Sequence, residues 1–309
     1  MKLVFFGTPD FSIPTLNALN NSSHDILRVV TIPDKKSGRG LKYYPSSVKK
    51  HAQMLNLPIV EINDLRDSEF LTKLRHIKPD LFIVVAFRKL PESLLKIPLI
   101  GAVNLHASLL PKYRGASPVT HAILNGEKKT GITTFLIEQK IDTGDILLQH
   151  QLNISNDITT GELLEELSDI GAEIMLNTLD GISNNSIKPK KQDNTLATLA
   201  PKINIHDCKI NWNLPAESIH NQIRAFTPSP GAFTFYNNKR IKLYGSNIEN
   251  RVSNIKLKPG QIYYIKPTIL IGTSHNYVRI AEIQIEGKKK MPVTNFMHGN
   301  PEIVGNYFV

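Results

Sequence analysis

The chain has 309 residues, of which 41% are hydrophobic and 21% charged, a composition typical of a folded protein large enough for two domains. Its net charge of +10 is uneven: residues 1–203 hold 24 basic and 21 acidic side chains, an excess of +3, whereas residues 204–309 hold 13 and 6, an excess of +7. The single cysteine, Cys208, excludes an intramolecular disulfide and a cysteine-rich metal site.

The N-terminus enters an apolar run at residues 3–6 without the basic stretch and cleavage site of a secretory signal. No run of 18 or more apolar residues occurs, so we expect a cytoplasmic protein with no membrane partner. The basic C-terminal region favours a polyanionic partner such as nucleic acid, although a basic surface that only aids solubility would give the same charge.

The first half of the chain alternates apolar, β-branched runs with amphipathic stretches, which predicts a mostly parallel sheet covered by helices. In chain order, the predicted strands are residues 3–6, 26–31, 58–61, 81–86, 102–106, 132–137 and 146–151. The predicted helices begin near Pro9, Pro45, Asp67, Pro91, Ser117 and Thr159. The last of these has a capping box formed by Thr159 and Glu162.

The second half of the chain differs from the first in composition and in the spacing of its apolar runs. A polar, basic stretch predicts a linker over residues 189–203, which separates an α/β domain over 1–188 from a C-terminal region over 204–309. A short helix at 215–226 and several β-like runs at close spacing predict that the C-terminal region is a small barrel. In chain order, these runs are residues 233–236, 240–244, 261–265, 269–271 and 277–285.

The most informative segment is G-A-V-N-L-H-A-S-L-L-P-K-Y-R-G, at residues 101–115. Because side chains alternate along a strand, Asn104 and His106 should project from one side of it. They stand at the carboxyl end of a strand, where ligands of open α/β sheets bind. Asp142 follows a later strand, and a carboxylate at the same edge can orient an imidazole. Read alone, His106 could be a core histidine and Asp142 a turn former.

The long string N-x-H-x-S-L-L-P-x-Y-R-G, together with a separate D-x-G-D turn, resembles the folate-dependent formyltransferases. The resemblance implies that Asn104, His106 and Asp142 are the catalytic triad of formyl transfer from 10-formyltetrahydrofolate to an amine, without a metal. It also implies folate contacts from the loop Ser108, Leu109, Leu110 and Pro111, and from the strand end at Phe87. There Phe87-Arg88 stands where many members have Tyr-Gly, a departure beside the family's pterin pocket.

Three features resemble the members of this family that formylate methionyl initiator tRNA for translation initiation. These are the opening at residues 5–11, a basic Gly-rich loop at 33–42, and the basic C-terminal region, which resembles the family's oligonucleotide-binding-like barrel. The resemblance places the loop at the acceptor end of the tRNA. Composition adds that its basic side chains seek phosphates. The candidate tRNA-binding residues are Arg39, Lys35, Lys36 and Lys42.

Two alternatives remain open from the sequence. One is a sugar-nucleotide N-formyltransferase, which shares the triad. The other is a non-catalytic RNA-binding protein built on a decayed enzyme fold, which retention of Asn104, His106 and Asp142 together disfavours. We expect a monomer.

Overall fold

The computed structural model describes residues 1–37, 42–250 and 255–309. In chain order, its elements are β1 (Lys2–Gly7), α1 (Ile13–Asn20), β2 (Asp25–Thr31), β3 (Lys35–Ser37), β4 (Lys42–Tyr44), α2 (Ser47–Met54), β5 (Ile59–Glu61), α3 (Ser68–Ile77), β6 (Leu81–Val85), α4 (Glu92–Leu95), β7 (Gly101–His106), α5 (Pro118–Leu124), β8 (Lys129–Leu136), β9 (Ile146–Asn153), α6 (Thr160–Ser183), α7 (Ala216–Ala225), β10 (Phe233–Tyr236), β11 (Lys239–Glu249), β12 (Ile262–Ile265), β13 (Thr268–Gly272), β14 (Tyr277–Ile285), β15 (Met291–Pro292) and α8 (Val293–His298).

The chain divides into two compact units. The first comprises Met1–Pro118, Thr130–Leu152 and Leu164–Ala200, and the second comprises Val119–Lys129, Asn153–Leu163 and Pro201–Val309. Residues 189–200, part of the predicted linker at 189–203, lie within the first unit. The composition of this stretch is that of a linker, but its hydrogen bonds are made to distant residues that a local pattern cannot reveal.

The first unit is built on a sheet with the order β5-β2-β1-β6-β7-β8-β9. The pairs from β5 to β7 are parallel, and β8 runs antiparallel to β7. β6 is buried at every position, as expected of a central strand with both faces covered. The predicted Rossmann-like, mostly parallel sheet is therefore confirmed.

The helices begin where the sequence supplies caps. Asp67 accepts a hydrogen bond from the Phe70 amide at the start of α3, and Ser46 accepts one from Lys49 at the start of α2. At α6, Glu162 accepts from the Thr159 amide while the Glu162 amide donates to the Thr159 hydroxyl, which confirms the predicted capping box. The helix continues to Ser183.

The basic segment after β2 differs from its predicted loop character. Lys35 pairs with Tyr44 and Lys36 with Tyr43, so β3 and β4 form a two-stranded ribbon on either side of residues 38–41. A strand of three residues is too short to show a periodicity that the sequence could reveal. The lysines and glycines of this segment favour a loop prediction instead. Arg39 lies outside the described residues.

The second unit contains an antiparallel sheet in the order β10-β11-β14-β13-β12, with β15 paired to β14. The sheet curls into a half-barrel around an apolar core to which Trp212, Ile219 and Phe226 contribute. The predicted β-rich C-terminal region is confirmed. Its predicted runs match β10 to β14, whereas the short β15 and α8 were not predicted.

Candidate active site

Asn104 and His106 lie on β7, between β6 and β8. Asn104 pairs with Val84 on one side and Phe135 on the other, and His106 pairs with Thr133. The intervening Leu105 points to the opposite face, where it packs so closely on α6 that a Cβ at Gly171 would lie 2.7 Å from its Cδ2. The helix therefore covers the Leu105 face and leaves the two polar side chains on the other, as their spacing predicted.

His106 is buried, with 6% of its surface exposed. Its Nε2 lies 2.9 Å from the carbonyl oxygen of Tyr113, and its ring meets Phe135 edge-on at 6.3 Å. Because a carbonyl oxygen only accepts, Nε2 carries the hydrogen of this bond. Nδ1 is then the ring nitrogen at which a further proton is taken up or released.

Asp142 faces that nitrogen. Its Oδ2 lies 3.8 Å from His106 Nδ1 and accepts a 2.7 Å hydrogen bond from the amide of Gly115. Asp142 sits in the turn after β8 with a φ of 54°, a left-handed conformation that aspartate tolerates better than most residues. The structure thus brings Asp142 to the same edge of the sheet as Asn104 and His106.

Asn104 has an unusual polar atom. Its Oδ1 is buried, and no described residue donates a hydrogen bond to it. A buried acceptor without a partner costs free energy, so such an atom suits a ligand that brings its own donor. An amine or the amide groups of a folate supply donors of this kind, so the residues present are compatible with such a substrate.

The loop after β7 is held by hydrogen bonds. The Ser108 hydroxyl donates to Lys112 O at 2.7 Å, and Thr133 Oγ1 donates to Ser108 O at 2.6 Å. The Leu110 amide donates to Thr133 Oγ1, and Gln149 Nε2 donates to Leu110 O.

The four predicted folate-contacting residues of this loop differ in burial. The Ser108 and Leu110 side chains are buried, whereas Leu109 and Pro111 are partly exposed. The buried pair therefore shapes the loop, and the exposed pair offers apolar surface for a ligand.

Phe87 and Arg88, which follow β6, both contact other parts of the first unit. Phe87 packs against Phe6 with ring centroids 5.6 Å apart, and the Arg88 guanidinium donates to the carbonyls of Ile62 and Asn63. Arg88 thus fastens the end of β6 to the turn after β5. Burial lowers the pKa of the Arg88 guanidinium, with a smaller opposing effect from Asp64.

The ribbon of β3 and β4 carries the predicted tRNA-binding lysines. Lys35 and Lys36 are exposed, and the Lys36 ammonium lies 5.3 Å from the ring centroid of Tyr43. Lys42 begins β4. At the base of the ribbon, Lys49 Nζ lies 2.7 Å from Asp34, and its hydrogen bonds to Asp34 and then Glu61 raise the pKa of Lys49.

Sequence reasoning missed two residues next to the site. Arg114, 8% exposed, donates to the side chains of Gln192 and Asn194, and Gln192 donates to the carbonyls of Asp142 and Gly144. Arg114 stood within the quoted motif, but nothing local distinguished Gln192 from the polar residues around it.

Within the described ranges, there is no group of three or more His, Cys, Asp or Glu side chains that could hold a metal ion. The helices of the same ranges include none long and apolar enough to cross a membrane.

Comparison with known proteins agrees with this fold. Residues 1–179 match the family model described as formyl transferase, and residues 202–301 match that of the formyl transferase C-terminal domain. The methionyl-tRNA formyltransferase of Porphyromonas gingivalis is 41% identical over 97% of this chain and 95% of its own length. That of Alkaliphilus oremlandii is 41% identical over 99% of both chains.

Among solved structures, HypX from Aquifex aeolicus in complex with tetrahydrofolic acid superposes with a TM-score of 0.69 at 19% identity, covering 98% of this chain and 48% of its own. This chain spans about half the length of that protein, and the likeness shows the fold alone. The two family models and the full-length relatives establish that the chain belongs to the formyl transferase family. The resemblance drawn from the sequence is confirmed.

Proposed function

We propose that this protein transfers a formyl group from 10-formyltetrahydrofolate to the α-amine of methionyl initiator tRNA, giving N-formylmethionyl-tRNA. The observation that carries the chemistry is the meeting of Asn104, His106 and Asp142 at one edge of the sheet, with His106 Nδ1 3.8 Å from Asp142 Oδ2. Relatives named methionyl-tRNA formyltransferase over almost their full length favour the tRNA acceptor over an amino-sugar nucleotide.

The triad provides for the charges that develop during transfer. Attack of the amine on the formyl carbon places negative charge on the carbonyl oxygen. The Asn104 amide and the Nδ1–H of a protonated His106 donate hydrogen bonds to that oxygen, and removal of one such preorganised donor typically lowers the rate by about 10²–10³. The buried Oδ1 of Asn104, to which no described residue donates, accepts from the substrate side.

Collapse of the intermediate requires proton movement. The attacking nitrogen becomes an ammonium and must lose a proton, while the folate nitrogen that leaves must gain one. A protonated His106 gives its Nδ1 proton to the leaving folate nitrogen and then takes up, at the same atom, the proton that the attacking nitrogen loses, while the Asp142 carboxylate stabilises the imidazolium. His106 is buried and its ring meets Phe135 edge-on, so little water reaches the ring.

Recognition of the tRNA rests on the basic surfaces. Lys35, Lys36 and Lys42 belong to the ribbon that brackets Arg39, and the C-terminal region carries an excess of seven basic residues. Such groups bind phosphates by releasing condensed counterions. Leu109, Pro111 and Phe87 offer the apolar surface for the folate rings.

The test compares two acceptors. The purified protein is incubated with 10-formyltetrahydrofolate and either methionyl initiator tRNA or an amino-sugar nucleotide, and the formylated product is identified by mass spectrometry. We expect formylation of the tRNA alone. Exclusive formylation of the sugar nucleotide would replace the tRNA proposal with the alternative, and tRNA binding without formylation of either acceptor would favour a non-catalytic RNA-binding protein.

A further inference from the structure

The Gln192 side chain links the two segments that set the position of Asp142. Its Nε2 donates to the carbonyl of Asp142 at 3.0 Å and to that of Gly144 at 2.7 Å. Its Oε1 accepts from Arg114 Nε at 3.1 Å and Nη2 at 2.7 Å. Both donor hydrogens and both acceptor sites of the amide are therefore used.

The turn that carries Asp142 needs such support. Asp142 has a φ of 54°, which most side chains avoid. Gly144 lies so close to β8 that a Cβ there would stand 1.6 Å from the carbonyl oxygen of Leu136. Gln192 binds the carbonyls at both of these positions, so it favours the one turn conformation that directs the carboxylate toward His106.

The second segment contains Arg114 and leads to Gly115, whose amide binds the Asp142 carboxylate. Gly115 donates its amide to Asp142 Oδ2 at 2.7 Å, and the preceding residue, Arg114, is fixed by Gln192 and by Asn194. The Arg114 backbone is also bonded to Thr198 and Ala200. Gln192 thus connects the turn that carries Asp142 to the segment whose Gly115 amide binds the Asp142 carboxylate.

We propose that Gln192 is a positioning residue for formyl transfer, which holds the Asp142 carboxylate at its working distance from His106 without touching the substrates. This inference rests on the proposed function. Because a displacement of about 1 Å in a catalytic group can lower a rate by up to about 100-fold, we expect Gln192→Met to lower kcat by about 10-fold to 100-fold and to leave KM for both substrates almost unchanged.

The experiment compares Gln192→Met and Gln192→Glu with wild type, with Gln53→Met on the exposed surface of α2 as the matched control. Gln192→Glu keeps the acceptor for Arg114 but has no donor for the two carbonyls, so its kcat should fall as in Gln192→Met. Wild-type kcat in Gln192→Glu would overturn the proposal even if Gln192→Met does not fold.

A double-mutant cycle separates positioning from general stability. In an Asp142→Asn background, Gln192→Met should cost little further kcat, since the group that it positions has already been changed. The same loss in both backgrounds, or a fall in kcat that only follows a lower unfolding temperature, would overturn the proposal. Wild-type activity is measured in parallel. A wild-type protein that formylates no tRNA refutes the proposed function. An active wild type whose kcat is matched by Gln192→Met refutes this inference alone.

Discussion

At the scale of single residues, the candidate site depends on the directions of three polar groups. His106 is fixed at Nε2 by the Tyr113 carbonyl, so Nδ1 is the ring nitrogen that faces Asp142. Asp142 reaches that place only through a left-handed backbone. Sequence motifs identified these residue types, but hydrogen bonds from residues far along the chain decide where the polar atoms point.

Replacing His106 with alanine tests the proton-transfer role. We expect kcat to fall by about 10²–10⁴-fold, because general acid–base catalysis contributes that much, while the affinity for charged tRNA stays nearly constant. Steady-state kinetics and a filter-binding titration measure the two quantities. His150→Ala, on the exposed part of β9, is the control and should behave as wild type. A His106→Ala enzyme with unchanged turnover would refute the role.

At the scale of elements, the alternation of side chains along β7 can be predicted from the sequence, because it depends on the two-residue period of one strand and on a helix that covers one face of it. Leu105 packs on α6, so Asn104 and His106 must emerge on the opposite face. The β3–β4 ribbon was not predictable, since it consists of a few cross-strand bonds between residues without apolar alternation. The same holds for residues 189–200, whose contacts with Arg114 and Asp142 are long-range.

Within the second unit, α7 is held by a buried histidine. His220 Nδ1 lies 2.9 Å from Ser246 Oγ, and its Nε2 lies 3.0 Å from Asn156 O and 3.5 Å from Asp157 Oδ1. Burial lowers the pKa of His220, assisted by Arg224 and opposed by its hydrogen bonds and by Asp157. The neutral form is therefore the one that packs.

This environment predicts a pH dependence of stability. Below about pH 6.5 the unfolded chain protonates His220 while the folded chain does not, so the free energy of unfolding should fall as the pH falls. The slope from one such proton is at most about 1.4 kcal/mol per pH unit. Urea denaturation from pH 7.5 to pH 5.5 measures it, and His220→Gln should flatten the decline. The exposed His206→Gln serves as control. Equal slopes in wild type and His220→Gln would contradict the assignment.

At the scale of the whole molecule, the uneven charge bears on which partners the protein attracts rather than on its fold. The C-terminal 106 residues carry most of the net +10, and the ribbon adds Lys35 and Lys36 to the first unit. Long-range attraction of this kind raises the rate and affinity of binding to a polyanion and weakens as salt rises.

Salt dependence therefore tests the tRNA-binding assignment. Arg39→Ala should weaken the binding of charged tRNA and reduce the slope of log affinity against log salt by about 1, because fewer counterions are released. Folate affinity should stay the same. Lys73→Ala, which removes a lysine paired with Glu69 on exposed α3, is the charge-matched control. An Arg39→Ala protein with unchanged affinity and slope would remove the phosphate-binding role of the loop.

By itself, the sequence determined the family, the sheet with its covering helices, and the strand end that carries Asn104 and His106, because these follow from local periodicity and from a motif contiguous along the chain. Only the tertiary structure decided the distance between His106 and Asp142, the anchoring of Arg88, and the place of Gln192 behind the Asp142 turn. These depend on hydrogen bonds between residues tens of positions apart. No local pattern encodes such bonds, since they form only when the sheet and its turns have brought the partners together.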